Sequence, residues 1–289
     1  MPRPSIQPLP ALMVAPNGAR RTKDDHPAIP ITLDEIIADA KACHAAAGAD
    51  GLHLHLRDKD GKHILDAGLY HEACAELAQQ IPDMAVQITT EAMGQYEPGR
   101  QREIAFNSGC PLVSMSIREN AADAVWDDNV GTDAAKFYRE CDEQGIAIQH
   151  ILYNAGDFEL LHQVLPSTLF CDPRLQLLFV LGRYDQASAA SSGTTGDKDG
   201  KAYDPASNSR PAMITPFIYK LADFDIEPDW MACAFGPGET RTLKAAQERG
   251  GKLRVGFENS IWHADGSVAE SNAARVHAVT ECNEPTTSA

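Results

Sequence analysis

Strand-like and helix-like segments alternate along this chain, and that alternation constrains its fold more than any other feature. Short apolar runs predict eight strands, and a segment with the periodicity of an amphipathic helix follows each of them. Such alternation implies parallel strands, because each helix returns the chain to the edge where the next strand begins. Eight repeats predict an α/β fold of the (β/α)8 TIM barrel type, formed as a single domain over residues 1–289.

The predicted elements are bounded by recognisable turn and cap residues. Thr32 with Glu35 three positions later has the pattern of a helix N-terminal capping box, and Gly48 ends that helix. The predicted strands cover 11–16, 51–58, 85–89, 112–115, 146–152, 175–181, 230–234 and 253–257. The predicted helices cover 32–47, 70–80, 97–107, 132–144, 158–164, 211–221, 239–248 and 268–280.

Two features leave alternatives open at this level. An open doubly wound sheet would also give this alternation, although no Gly-x-Gly-x-x-Gly follows any predicted strand. The segment 182–210 is rich in Ser, Gly, Asp and Thr and is too long for a plain connection. It is either a lid over a functional site or a disordered insertion.

The second predicted strand carries a pattern typical of a metal site. In the stretch Gly51–Asp58, His53 and His55 alternate with leucines and therefore project to the same face. Two neutral imidazoles side by side can bind one divalent ion, and burying both without a partner would be costly. The alternative is a pair of polar core residues on a strand.

Composition limits the partners of the protein. The net charge of −16 argues against nucleic acid, because phosphate binding needs a basic surface. The seven cysteines are scattered singly without a Cys-x-x-Cys pair, which predicts a reduced cytosolic protein without a disulfide framework. No apolar run approaches the ~18 residues of a membrane span, and the N-terminus lacks a signal-peptide core. We expect a soluble, cytoplasmic protein without a membrane partner.

The end of the last predicted strand offers further candidate site residues. Arg254, Gly256 and Glu258 alternate onto one face, and in a barrel this end lies across the mouth from His53 and His55. Two histidines and one glutamate would leave an open position on Zn²⁺, as catalytic zinc sites do. The alternative is a surface carboxylate with a structural ion pair.

Several segments together resemble the β-keto acid cleavage enzymes, the family of 3-keto-5-aminohexanoate cleavage protein from lysine fermentation. The resemblance extends from about residue 11 to residue 280, and the joint order of the motifs is more specific than any one of them. The segments that carry it are Pro30–Thr32, Gly51–Asp58, Phe179–Gly182, Arg254–Glu258 and Ala269–Ala273.

The resemblance implies a barrel that binds Zn²⁺ through His53, His55 and Glu258 and assembles as a homo-oligomer, a tetramer or a dimer. It implies that a β-keto acid and acetyl-CoA react to give acetoacetate and a new acyl-CoA, in a retro-Claisen type exchange. Thr89 and Ser114 fall where the family places hydroxyls that hold the substrate. Arg254 matches an arginine that stabilises charge near the reacting carbons.

Three departures from the family pattern bear on the substrate and the proton transfer. Asn259 stands where the characterised family member has an aspartate involved in proton transfer, and an amide cannot act as a base near neutral pH. Arg20 aligns with a glutamate that binds the ammonium group of the substrate in that family member. The reversal of charge argues against 3-keto-5-aminohexanoate as the substrate. We expect Arg20, together with Arg21, to bind an anionic or polar distal group, the alternative for Arg20 being a solvated loop residue. The predicted fifth strand reads Gln149-His150-Ile151-Leu152, without the carboxylate that the family pattern leads us to expect there.

Two other classes of protein stay open. Amidohydrolase barrels also use a His-x-His pair, but they usually place it on the first strand and an aspartate after the last. A non-catalytic metal-binding barrel is the other alternative, since Asn259 and Gln149 replace carboxylates of the family pattern.

Overall fold

Eight parallel strands close into a barrel in the computed structural model, which describes residues 4–123, 133–183 and 208–281. Each strand pairs with its sequence neighbours, and β8 pairs with β1 to close the sheet. The predicted (β/α)8 fold is thereby confirmed. The strands are β1 Leu12–Val14, β2 Gly51–Leu54, β3 Ala85–Thr89, β4 Leu112–Ser116, β5 Ala147–Leu152, β6 Gln176–Leu181, β7 Asp229–Ala234 and β8 Lys252–Val255.

Helices pack around the outside of the barrel. None of the described helices is long and apolar enough to cross a membrane. A 3₁₀ turn at Pro211–Ile214 precedes the eighth helix. The helices are α1 Leu33–Ala47, α2 Ala67–Gln80, α3 Pro98–Asn107, α4 Ile117–Asn120, α5 Asp133–Gln144, α6 Asp157–Val164, α7 Ser167–Phe170, α8 Thr215–Asp223, α9 Glu239–Gln247 and α10 Asn272–Glu281.

Helix α1 begins and ends where its cap residues place it. The Thr32 hydroxyl accepts a hydrogen bond from the Glu35 backbone N–H, and the Glu35 carboxylate accepts from the Thr32 backbone N–H, so the predicted capping box is present. A hydrogen bond from Lys23 lowers the pKa of Glu35 to about 2, so the carboxylate is ionised at neutral pH. Gly48 ends the helix in the left-handed conformation.

The barrel interior has an apolar lower part and a polar upper part. Side chains from β1, β4, β5, β6 and β7 form an apolar cluster that includes Met13, Leu112, Leu178 and Met231. Toward the carboxyl ends of the strands the interior gains polar side chains, among them His53, Thr89 and Arg254, beside apolar Val180 and Phe235. This upper layer faces the end of the barrel where (β/α)8 enzymes place their sites.

Several predicted boundaries are wrong at strand and helix ends. Strand β8 ends at Val255 instead of residue 257, because Gly256 leaves the extended conformation with a φ of +139°. A turn follows in which the Gly256 carbonyl accepts hydrogen bonds from the backbone N–H groups of Asn259 and Ser260. The last helix begins at Asn272, four residues later than predicted. Most of the predicted loop 182–210 lies outside the described residues.

The prediction that the cysteines are unpaired is wrong for two of them. Cys74 on α2 and Cys110 just before β4 form a disulfide, with Cα atoms 6.5 Å apart. These residues are 36 positions apart, and only the packing of α2 against the start of β4 brings them together. Spacing along the chain carries no signal for such a pair.

We predict that Thr32→Ala lowers the free energy of unfolding by about 1 kcal/mol, because the N-terminal turn of α1 loses its side-chain acceptor. Urea unfolding at neutral pH measures the change. Thr32→Ser keeps the hydroxyl and is the matched control, so an equal loss in both variants would contradict this account of the cap.

Candidate metal and active site

Three side chains from opposite ends of the chain converge at the carboxyl ends of the strands. The Nε2 atoms of His53 and His55 lie 3.0 Å apart, and Glu258 Oε2 lies 3.6 Å from the first and 3.5 Å from the second. One ligand atom from each residue lies within 4.8 Å of the others. The structure thus brings together the three residues that the sequence proposes as a metal site.

Strands β2 and β8 both end earlier than predicted on the way to this site. His53 lies within β2, but His55 is one residue beyond its end and keeps the inward direction of the alternation. Glu258 is not on a strand, because β8 ends three residues earlier. The turn that begins at Gly256 carries the Glu258 side chain back over the barrel mouth.

Burial sets the protonation states of the imidazoles. It lowers the pKa of His53 to about 4, with a smaller contribution from the Arg254 charge, and it lowers the pKa of His55 well below the ordinary value. Both imidazoles are therefore neutral at pH 7 and retain a nitrogen lone pair for a cation.

The Glu258 carboxylate is ionised, and only one of its two oxygens accepts a hydrogen bond from the described residues. Burial acts to raise the pKa of Glu258, but the positive charge of Arg254 is the largest of the opposing effects, and the pKa is lowered. Arg254 donates a hydrogen bond of 3.1 Å to Oε1. Oε2 is buried and has no hydrogen-bond partner among the residues that the structure describes. An ionised oxygen without a partner, facing two neutral imidazoles, fits a divalent cation such as Zn²⁺.

Arg57 holds the loop that follows β1 against this site. Its Nη2 donates to the backbone carbonyls of Asn17, Gly18 and Arg21, the bond to Arg21 being 3.0 Å long. One guanidinium therefore fixes three carbonyl groups of the loop. Arg57 comes two residues after His55 in sequence, so the same strand end that supplies a candidate ligand also holds the loop.

The loop in turn contacts two of the three candidate ligands. The Asn17 side-chain amide donates a hydrogen bond of 3.2 Å to the backbone carbonyl of His55. Gly18, with a φ of +61°, packs its backbone on the side chain of Glu258, and a Cβ at this position would lie 2.5 Å from Glu258 Cγ. The loop therefore sets the distance between His55 and Glu258.

A cavity opens beside the three candidate ligands, and it includes some of the predicted substrate-binding residues. Thr89 lines it, while Ser114 is fully buried and Ser116, two residues further along the same face, lines the cavity instead. Arg254 lines the cavity, whereas Asn259 is fully buried and is not among the lining residues. The lining residues are His53, His55, Thr89, Glu91, Ser116, Glu119, Ile151, Tyr153, Val180, Arg183, Phe235, Arg254 and Glu258.

Arg20 and Arg21 take different positions. Arg21 donates a hydrogen bond of 2.6 Å to the Phe257 carbonyl and stacks over Trp262, so it ties two loops together and does not line the cavity. Arg20 lies beside the cavity, where its guanidinium is 3.9 Å from the carboxylate of Glu91. The structure thus gives Arg21 a positioning role and leaves Arg20 near the site.

Three residues that matter to this geometry escaped the sequence interpretation. Glu91 and Arg57 each sit just after a strand end, and that position was a usable signal, since such residues face the barrel mouth. Gln87 lies on β3 beside His53, and its Oε1 accepts a hydrogen bond from His53 Nδ1 at 2.8 Å. The contact between Gln87 and His53 depends on the register of β2 against β3. The residue pattern within either strand does not predict that register.

Comparison with known proteins assigns most of the chain to one family model. The model described as beta-keto acid cleavage enzyme matches residues 11–286. The 3-keto-5-aminohexanoate cleavage enzyme of Fusobacterium nucleatum is 23% identical over 265 residues, which cover 91% of this chain and 86% of that protein. The 3-oxoadipate:acetyl-CoA acetyltransferase of Cupriavidus necator is 23% identical over 277 residues, which cover 93% of this chain and 86% of that protein.

A solved structure shares the fold. The ternary complex of ObcA with C4-CoA adduct and oxalate aligns with a TM-score of 0.60 and 16% sequence identity. The alignment covers 88% of this chain and 63% of that chain. This protein thus spans less than two thirds of the length of that solved chain, and the likeness shows the barrel architecture alone.

We predict that Gly18→Ala weakens Zn²⁺ binding at least ~10-fold, the size of effect typical of residues that orient metal ligands. The new Cβ would displace the Glu258 side chain. Isothermal titration calorimetry with Zn²⁺ measures the change.

Gly48→Ala is the matched control, because Gly48 has a φ of +68° and nothing lies within 4 Å of its Cβ position. Both variants carry the same backbone strain, of about 1 kcal/mol, but only the first contacts Glu258. Equal Zn²⁺ affinities in the two variants would contradict the positioning role of Gly18.

Proposed function

We propose that this chain, which belongs to the family of beta-keto acid cleavage enzymes, exchanges acyl groups between a β-keto acid and acetyl-CoA, giving acetoacetate and a new acyl-CoA. The chain is a carbon–carbon bond cleaving enzyme of the acyltransferase type. The observation that carries the proposal is the buried Glu258 Oε2, which has no hydrogen-bond partner among the described residues and faces the imidazoles of His53 and His55 beside a cavity. The names of two relatives, a 3-keto-5-aminohexanoate cleavage enzyme and a 3-oxoadipate:acetyl-CoA acetyltransferase, support it.

We propose Zn²⁺ as the resident metal, held by His53, His55 and Glu258. Two neutral imidazoles and one ionised carboxylate are a donor set that zinc enzymes use while keeping a coordination position open. A zinc ion bound there supplies a Lewis acid that stabilises negative charge developing on a substrate oxygen.

The surrounding residues hold and shield the reacting groups. Arg254 is buried, and its guanidinium keeps one oxygen of Glu258 in place while adding positive charge to the cavity wall. Such a preorganised charge is worth more here than in water, because the site is largely closed to solvent. We propose that Arg254 stabilises the negative charge that develops near the reacting carbons as bonds form and break.

Hydroxyl groups from two neighbouring strands offer hydrogen bonds to the substrate. Thr89 and Ser116 line the cavity, and Ser114 pairs in register with Thr89 and has an Oγ without a hydrogen-bond partner in the described part of the chain. We propose that these hydroxyls hold the carboxylate and keto oxygens of the β-keto acid. Asn259 occupies the family's aspartate position without serving as a base, since an amide does not accept a proton near neutral pH.

The charge beside the cavity favours a β-keto acid with an anionic distal group. Among the described residues, Arg20 Nε is buried without a hydrogen-bond partner, and the one ion pair of the Arg20 side chain, to Glu91, is 3.9 Å long. Arg183 approaches the same carboxylate at 3.5 Å. A second carboxylate on the substrate would supply the acceptor that Arg20 lacks, whereas an ammonium group would be repelled.

We predict that the zinc-loaded protein releases acetoacetate only when both a β-keto acid and acetyl-CoA are present. The test is a coupled assay for acetoacetate across dicarboxylic, neutral and amino-substituted β-keto acids. The His53→Ala/His55→Ala double variant should lose both bound zinc and activity. Hydrolysis without thioester would instead indicate a metal-dependent hydrolase, and zinc-bound but inert protein would indicate a non-catalytic barrel.

We predict that Arg20→Gln raises KM for a dicarboxylic β-keto acid about 10-fold, the cost of losing a hydrogen bond to a charged group. The value for a neutral β-keto acid should stay unchanged, as should kcat for both. Glu91→Gln should act in the opposite direction on the dicarboxylic substrate, because it removes the carboxylate that competes for Arg20. An equal effect of Arg20→Gln on neutral and dicarboxylic substrates would contradict the assignment.

A further inference from the structure

Two buried glutamines connect His53 to a backbone carbonyl on the far side of the barrel interior. We propose that Gln149 and Gln87 are positioning residues that fix the tautomer of His53, so that its Nε2 carries a lone pair toward the metal site. The inference rests on the metal site of the proposed function, and it names how this chain prepares one ligand of that site before any ion binds.

The direction of the hydrogen bonds is set at the Leu177 end of the connection. The Leu177 carbonyl can only accept, so the side-chain group 3.4 Å from it must be the donating Nε2 of Gln149. Gln149 Oε1 then faces Gln87 and accepts from Gln87 Nε2 at 2.9 Å. The orientation of the first amide therefore decides the orientation of the second.

The second amide in turn decides which nitrogen of His53 is protonated. With its Nε2 donating to Gln149, Gln87 presents Oε1 to His53 Nδ1 at 2.8 Å. An amide oxygen can only accept, so Nδ1 must carry the proton. A neutral imidazole has one N–H, which leaves Nε2 unprotonated and directed at His55 and Glu258.

Burial keeps the direction of these hydrogen bonds fixed. Both glutamines are fully buried and His53 is 2% exposed, so water does not compete for their hydrogen-bonding groups. A reversed amide would place two oxygens or two N–H groups against each other at short distance, which is costly inside a protein. The hydrogen bonds from Leu177 through Gln149 and Gln87 to His53, called the relay below, join side chains and a carbonyl on β2, β3, β5 and β6.

The two histidines are therefore not equivalent. His55 Nδ1 is buried and has no hydrogen-bond partner within the described ranges, so no acceptor holds a proton on that nitrogen. Because His53 Nε2 has no proton, the 3.0 Å contact between the two Nε2 atoms requires His55 to be the donor when no ion is bound. His53 is thus ready to bind a metal, and His55 must first move its proton to Nδ1.

The experiment compares Gln149→Met with Gln149→Glu in the full-length protein. Methionine preserves volume but removes the acceptor for Gln87, while glutamate keeps an oxygen that accepts from Gln87 Nε2. The readouts are the ring ¹⁵N shifts of His53 in zinc-free protein, by long-range ¹H–¹⁵N NMR after selective ¹⁵N-histidine labelling, and the Zn²⁺ affinity. The His53→Ala variant assigns the signals, and thermal unfolding checks that each variant folds.

The expected result is an Nδ1–H tautomer in the wild type and in Gln149→Glu, and a mixture of tautomers with about 10-fold weaker Zn²⁺ binding in Gln149→Met. If the role were only packing, methionine would be the milder change and glutamate the more harmful one, which would overturn the proposal. An Nε2–H tautomer in the zinc-free wild type would also overturn it, whatever the variants do. If the tautomers are as expected but no β-keto acid is cleaved, the relay stands and the proposed function fails.

Discussion

The site depends on one buried carboxylate that has only half of its hydrogen-bonding capacity satisfied. Glu258 receives a hydrogen bond from Arg254 on one oxygen, and its other oxygen faces two uncharged imidazoles. An ionised group buried without a full set of partners costs several kcal/mol. The fold tolerates this cost at the mouth of the barrel, and a cation among the three side chains would offset it.

Closure of the barrel makes this convergence possible. Strand β8 pairs with β1 and β1 pairs with β2, so residues more than 200 positions apart become near neighbours. The loop after β1 lies between them, with Gly18 on Glu258 and Asn17 on the His55 carbonyl. Arg57 holds that loop by its backbone carbonyls. The geometry of the site therefore depends on backbone contacts of a loop as much as on the ligands.

Two glutamines in the barrel interior act on one of the candidate ligands. The Gln149 amide starts a chain of hydrogen bonds that ends at His53. The Gln149 amide donates to the Leu177 carbonyl and accepts from Gln87, which fixes the orientation of both glutamines. Beside the cavity, Arg20 and Arg183 approach one carboxylate, that of Glu91. In our proposals, the glutamines orient His53 for a metal ion and Arg20 binds an anionic group of the substrate.

The sequence by itself determined the (β/α)8 barrel, most element positions, and the residues His53, His55 and Glu258, because hydrophobic periodicity, cap residues and the His-x-His pattern are local signals. Zinc, the homo-oligomer and the cytoplasmic location stay predictions from the same source. Only the tertiary structure decided what depends on distant pairing: the Cys74–Cys110 disulfide, the exchange of Ser114 for Ser116 at the cavity, and the turn that carries Glu258 to the histidines. The hydrogen-bond relay to His53 belongs to this second group. Its direction follows from strand register and amide orientation across the barrel interior, neither of which is encoded in any single stretch of the chain.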